Sequence, residues 1–178
     1  MYPSIKLTDE DRAWANALRE RDWNQCAYFD PSIDPYGTNC YRGHLCERGF
    51  WHLHPRSWYV GLVVRRYDFL TMAYPGLHGG NPRCDVKGRG IVGSPRPNYW
   101  VNVVAADSFR GKGYVYSFAF VNEGWGQVWL VGWMAADEYL ERALLLKKGD
   151  VQPDNPKNPN FKIKADRYSM QIKDLRSY

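Results

Sequence analysis

The stretch Tyr114-Val115-Tyr116-Ser117-Phe118-Ala119-Phe120-Val121 sets Tyr116, Phe118 and Phe120 against Val115, Ala119 and Val121. Successive side chains of a strand point to opposite faces, so a strand apolar on both faces must be covered on both. After the turn Asn122-Glu123-Gly124-Trp125-Gly126, residues Gln127 to Trp133 continue in the same character, which predicts a buried hairpin. Upstream, Trp58–Arg66, Tyr67–Tyr74, Arg83–Lys87 and Tyr99–Ala105 read as further extended segments. Helices are expected over Asp9–Arg21, with Thr8 as N-cap and acids in the first turn, over Tyr41–Leu53, stopped by Pro55, and over Ala135–Lys148, ended by Gly149. A Pro/Asn-rich loop, 151–160, leads to a closing pair of short strands around Phe161–Lys164 and Tyr168–Ile172. Helices first, then strands, a helix and a final ribbon imply a mixed α/β, α+β-like fold around a central sheet.

A chain of 178 residues with 44% hydrophobic and 24% charged residues is the size of one domain with an ordinary core, which excludes disorder and fibrous repeats. No apolar run approaches the roughly 18–20 residues of a bilayer span, and the start Met1-Tyr2-Pro3-Ser4-Ile5-Lys6 has no secretory pattern. The expectation is a soluble, cytoplasmic protein with no membrane partner. On that basis Cys26, Cys40, Cys46 and Cys84 read as reduced thiols or metal ligands.

The net charge of +5 is unevenly spread. Residues 1–82 carry nine basic and nine acidic side chains, 83–112 carry six against two, and 151–178 carry six against three. A basic centre and tail suit a polyanion partner, though a merely basic surface fits the charge equally well. Eight Trp, thirteen Tyr and seven Phe add rings that could stack on bases where they flank Arg42, Arg56 and Arg96.

The chemistry-bearing segment is Cys84-Asp85-Val86-Lys87-Gly88. On a strand, Asp85 and Lys87 share a face, so a carboxylate and an ammonium stand side by side. Carboxylates hold Mg²⁺, and a neighbouring lysine can orient water and offset phosphate charge. Asp68, a lone acid between Tyr67 and Phe69, can add a second ligand. Glu47, one turn after the small Gly43 on the second helix, can add a third if that helix packs closely on the sheet. A surface ion pair and a solvated helix face are the bland alternatives.

A helix glutamate, a strand aspartate, then Asp-x-Lys on the next strand is the order found in the PD-(D/E)XK nuclease superfamily, which this chain resembles over roughly residues 40–175. Arg42–Phe50 resembles its Gly-x-x-x-Glu helix, and Asp85-Val86-Lys87 its signature. The segments 114–121, 128–133, the following helix and the C-terminal strands resemble the compact members borne by phages and mobile elements. The usual helix between the Asp-x-Lys strand and the next core strand, and the proline before Asp68, are missing. The resemblance implies a restriction-endonuclease-like central mixed sheet flanked by helices, with a C-terminal β-ribbon. It implies one nuclease domain, 1–178, with an N-terminal helix and loop (1–39), a catalytic core (40–150) and a C-terminal loop and strand pair (151–178). It further implies a Mg²⁺- or Mn²⁺-dependent DNA endonuclease leaving 5′ phosphates, in which Glu47, Asp68 and Asp85 bind metal and Lys87 acts on water and phosphate. Arg83, Arg89, Arg96, Arg110 and Lys112 would neutralise the DNA backbone. A homodimer is the simplest way to cut both strands of a duplex.

Cys40, His44, Cys46, His52 and His54 offer competing donors for zinc, with Cys26 or Cys84 to complete a set. One helix cannot direct all five inward, so the spacing favours buried side chains over a zinc site. The alternative function is a non-catalytic nucleic-acid-binding module of the same fold, possibly zinc-stabilised.

Overall fold

A computed structural model describes residues 1–25, 36–60, 68–71, 82–108, 110–111, 113–153 and 162–178. In chain order its elements are β1 (Ser4–Lys6), α1 (Asp9–Gln25), α2 (Thr38–Leu53), β2 (Trp58–Tyr59), β3 (Phe69–Leu70), β4 (Arg83–Gly90), β5 (Trp100–Val104), β6 (Tyr114–Asn122), β7 (Gln127–Ala135), α3 (Ala136–Arg142), β8 (Leu144–Leu146) and β9 (Arg167–Gln171). The fold is mixed α+β with two sheets. The larger runs β1-β7-β6-β4-β3-β2 and is itself mixed: β4 lies parallel to β6, and every other pairing is antiparallel. The smaller runs β5-β9-β8.

The expected hairpin is β6–β7, and its two apolar sets separate as the alternation requires. Val115, Ala119 and Val121 join Leu45, Cys46 and Phe50 of α2 in one buried cluster. Tyr116, Phe118 and Phe120 join Val101, Val103, Met170, Tyr139 and Leu140 in another, on the opposite face. Burying each such phenylalanine contributes about 1.5–3 kcal/mol, so both faces of this hairpin anchor the chain.

Thr8 and Asp11 open α1 with a reciprocal cap. The Asp11 N–H donates to Thr8 Oγ1 at 3.2 Å, and the Thr8 N–H donates to Asp11 Oδ2 at 2.8 Å. Helix α2 starts at Thr38, behind Gly37 at φ 63°, three residues before the start that periodicity gives.

Three segments differ from expectation. The helix expected over Ala135–Lys148 ends at Arg142, and Leu144–Leu146 form β8 on β9 instead. The C-terminal strand is present as β9, but its partners are β5 and β8, while Lys162 bridges to Val151. Pairing across the second sheet overrides the helix preference of a leucine run. The third difference is β1, an edge strand on β7 with no turn or alternation to announce it. Between β4 and β6, among the described residues, the chain carries β5 and one turn of 3-10 helix at Ala105–Asp107 rather than an α-helix. Most of the extended segments expected over 58–66 and 67–74 lies outside the described residues, as do Cys26 and Lys112.

Candidate metal and phosphate site

Strand β4 sorts its side chains by parity. Cys84 and Val86 enter the cluster beneath α2, so Arg83, Asp85, Lys87 and Arg89 point to the other face, beside Tyr114, Tyr116, Phe118 and Phe120 of β6. Lys87 Nζ lies 2.8 Å from Asp85 Oδ2, with Asp85 buried and Lys87 half-buried. The side-by-side carboxylate and ammonium expected from Asp-x-Lys are therefore present.

Asp68 stands at the start of β3, next to β4. Its N–H donates to the Cys84 carbonyl, and its Oδ2 accepts the Val86 N–H at 2.7 Å. Burial, then the negative charges of Glu47 and Asp85, push its pKa well above the ordinary carboxylate value. The Val86 N–H and Lys87 oppose that rise without cancelling it. Asp68 thus feels both of the other acids singled out in the sequence, with Lys87 opposing them.

Glu47 comes near enough to Asp68 to act on it because α2 lies almost on β4, although Asp85 and Lys87 point to the opposite face of that strand. A Cβ added at Gly88 would meet Cys46 Cβ at 2.6 Å, whereas one at Gly43 would meet nothing within 4 Å. The close approach is therefore made by Gly88, on the strand, and not by Gly43 as the helix sequence suggested. Glu47 Oε2 accepts the Tyr59 hydroxyl at 3.0 Å and lies 3.1 Å from His44 Nδ1. Burial and the Glu47 charge push the Tyr59 hydroxyl's pKa up, so it stays a donor.

The Cys/His constellation divides. Cys46 is buried against Gly88, its thiol pushed up by burial, and His54 packs on the Phe50 ring at 4.6 Å with its pKa lowered by burial. His52 Nε2 lies 2.7 Å from Asp11 Oδ1. None of these three belongs to a metal cluster among the described residues. Cys40 and His44 do, with Asp22 of α1: one donor atom from each lies within 4.8 Å of the others. The carboxylates of Glu47, Asp68 and Asp85 interact without forming so tight a group. Asp22 and Tyr59 were not singled out by the sequence. Asp22 sits in an ordinary charged helix stretch beside Arg21, and only the Cys40-x₃-His44 spacing, one helical turn, hinted at a partner there.

Of the basic residues, Arg83, Arg89, Arg96 and Arg110 are exposed, and the Arg83 guanidinium lies 5.1 Å from the Tyr114 ring centre. Arg89 is partly committed to the fold, its Nη1 donating to the Trp100 carbonyl at 3.1 Å and its guanidinium 5.6 Å from the Phe120 ring centre. Among the described residues no helix is long and apolar enough to cross a membrane. No protein-family model, curated protein or solved structure matches this chain.

Proposed function

We propose that the chain is a divalent-metal-dependent nuclease of the PD-(D/E)XK type acting on DNA, with Glu47, Asp68, Asp85 and Lys87 as its working residues. The observation that supports it is Asp68, whose carboxyl is held up by burial and then by the charges of Glu47 on α2 and Asp85 on β4, while Lys87 stands 2.8 Å from Asp85. Asp68, beside β4, is the acid that the charges of Glu47 on α2 and Asp85 on β4 both act on. A hard dication such as Mg²⁺ or Mn²⁺ suits carboxylates of this kind, because it takes oxygen ligands and would relieve the repulsion that Asp68 feels from Glu47 and Asp85.

When bound, such an ion would activate water and stabilise charge on the departing 3′ oxygen, and Glu47, Asp68 and Asp85 would hold it. Lys87 orients the attacking water and neutralises charge on the scissile phosphate. A bond forms from the water oxygen to phosphorus, the bond from phosphorus to the 3′ oxygen breaks, and the products are a 5′ phosphate and a 3′ hydroxyl. Tyr59, donating to Glu47, fixes that carboxylate's orientation. Arg83, Arg96 and Arg110, with Lys112 in the same basic stretch, carry the flanking phosphates.

One observation favours a second reading, a nucleic-acid-binding module without catalysis. Asp85 already has its counter-charge in Lys87 at 2.8 Å, so the strand pair is satisfied without a metal. Incubation with supercoiled, linear, branched and single-stranded DNA in Mg²⁺, against the same panel in EDTA, separates the two. Metal-dependent cleavage lost in Asp85→Asn supports the nuclease; DNA binding with no cleavage in any arm supports the module. Sedimentation of the protein with and without duplex DNA tests for a homodimer.

A further inference from the structure

We infer that Asp22, Cys40 and His44 form a second cation site of the zinc class, pinning α1 to α2 and sharing no ligand with the magnesium site proposed above. Cys40 and His44 are buried one turn apart on α2, and Asp22 faces them from α1. His44 Nε2 lies 3.0 Å from Asp22 Oδ2 and 3.5 Å from Cys40 Sγ, and the three donor atoms fall within 4.8 Å of one another. The three atoms come from two helices and converge on one point, where a cation could take an imidazole nitrogen, a thiolate and a carboxylate oxygen together.

The spacing and the donor chemistry agree with that occupant. Zinc bond lengths of about 2.0–2.3 Å at tetrahedral angles place neighbouring N, O and S donors roughly 3.3–3.6 Å apart. The S···N separation here falls in that range and the O···N separation is slightly shorter. Thiolate and imidazole are donors that select zinc over magnesium or calcium. Binding displaces the Cys40 thiol proton, and any proton on His44 Nε2, to solvent. A thiolate and a carboxylate then balance the dication, so nothing charged is buried unpaired.

The surroundings are those of a ligating histidine. The other ring nitrogen, Nδ1, lies 3.1 Å from Glu47 Oε2, the carboxylate that fixes tautomer and ring orientation behind a metal-binding imidazole. His44 is also held edge-on by the Trp14 ring at 6.2 Å. Three protein ligands leave a fourth position for water. Glu47 then touches both sites, behind the zinc through Oε2 and among the acids of the magnesium site.

Titration of the chelator-stripped full chain with Co²⁺, followed by Zn²⁺, tests the site. The expected result is one Co²⁺ per chain with thiolate-to-cobalt charge-transfer absorption, displaced by one equivalent of Zn²⁺, and a rise in Tm on zinc loading. Cys40→Ser, which keeps shape and so keeps the fold by near-ultraviolet circular dichroism, loses the charge-transfer band. His44→Gln loses binding, and Glu47→Gln weakens it about 10–100-fold. Asp85→Asn abolishes Mg²⁺ binding and leaves the cobalt spectrum unchanged, which keeps failure of this site distinct from failure of the nuclease reading. A folded wild-type chain with no charge-transfer band, a band that survives Cys40→Ser, or loss of the band in Asp85→Asn overturns the inference.

Discussion

Lys87 Nζ lies 2.8 Å from Asp85 Oδ2, and the two residues share one face of β4 because they are two apart on the strand. Their side chains are largely withdrawn from water, yet their tasks in the proposed reaction differ, and the difference makes the pair separable. Asp85→Asn keeps the shape and removes the charge, so Mg²⁺ binding and cleavage are both expected to collapse. Lys87→Ala removes a cation from beside the acids, so Mg²⁺ binding is expected to stay or tighten, while cleavage falls on the order of 10²–10⁴-fold. Isothermal calorimetry with Mg²⁺ and a plasmid-cleavage assay read the two effects. Near-wild-type cleavage in both variants reduces the pair to an ordinary ion bridge and removes the nuclease reading.

The basic stretch makes a separate prediction through salt. Arg96 and Arg110 are exposed; Arg89 is exposed too, but its guanidinium is already engaged by the Trp100 carbonyl and the Phe120 ring. Reversing both charges, Arg96→Glu with Arg110→Glu, is expected to flatten the plot of log affinity for DNA against log salt by about 2, roughly one for each phosphate that is no longer neutralised. Fluorescence anisotropy across a salt series measures it. An unchanged slope takes this stretch out of the DNA footprint.

How much of this was legible beforehand depends on how local the cause is. The β6–β7 hairpin showed itself because its apolar residues alternate and are buried on both faces, and Thr8 because capping is chemistry within one turn. Asp85 and Lys87 share a face by strand geometry alone, while Asp68 and Glu47 were singled out only by their order along the chain. What escaped has distant causes. Leu144–Leu146 are strong helix formers drawn into β8 by β9, more than twenty residues later. Gly88 rather than Gly43 sets the helix-to-strand distance, which no reading of α2 alone could reveal. Asp22 and Tyr59 acquire their roles only when α1 and β2 are laid against α2.

Asp11 supplies a pH dependence unconnected with either proposed cation site. Burial alone would raise its pKa, but hydrogen bonds from His52, Thr8 and Arg48 outweigh burial and hold the carboxyl far below its ordinary value. Arg48 Nε and His52 Nε2 each lie 2.7 Å from Oδ1, so the carboxylate ties the start of α1 to α2. A carboxylate depressed in the folded state adds stability that is complete above its unfolded pKa of about 4 and is lost as pH falls through the folded value. Asp11→Asn is therefore expected to destabilise by about 1.5–3 kcal/mol at pH 7, with the gap to wild type narrowing progressively below about pH 4. Urea unfolding at pH 7, 5, 4 and 3 gives the comparison. A gap that widens on acidification contradicts the assignment.

Two glycines facing each other across α2 and β4 give opposite predictions from the same substitution. Gly43 sits inside the helix with open space where its Cβ would be, so Gly43→Ala is expected to stabilise the chain by up to about 1 kcal/mol through helix propensity alone. A Cβ on Gly88 would stand 2.6 Å from Cys46 Cβ, 2.8 Å from its Sγ and 3.3 Å from the Gly43 backbone, and a helix backbone cannot retreat as a flexible side chain can. Gly88→Ala is thus expected to destabilise by about 1–3 kcal/mol and to push α2 off the strand. Because Glu47 rides on α2 while Asp68 and Asp85 ride on the sheet, that displacement also separates the three acids, so Mg²⁺ affinity should fall with stability. Thermal unfolding and Mg²⁺ calorimetry on both variants check this together. Equal Tm values for the two would show that the α2–β4 approach is not set by Gly88, and a fall in Mg²⁺ affinity in Gly43→Ala would show that Glu47 does not depend on this approach.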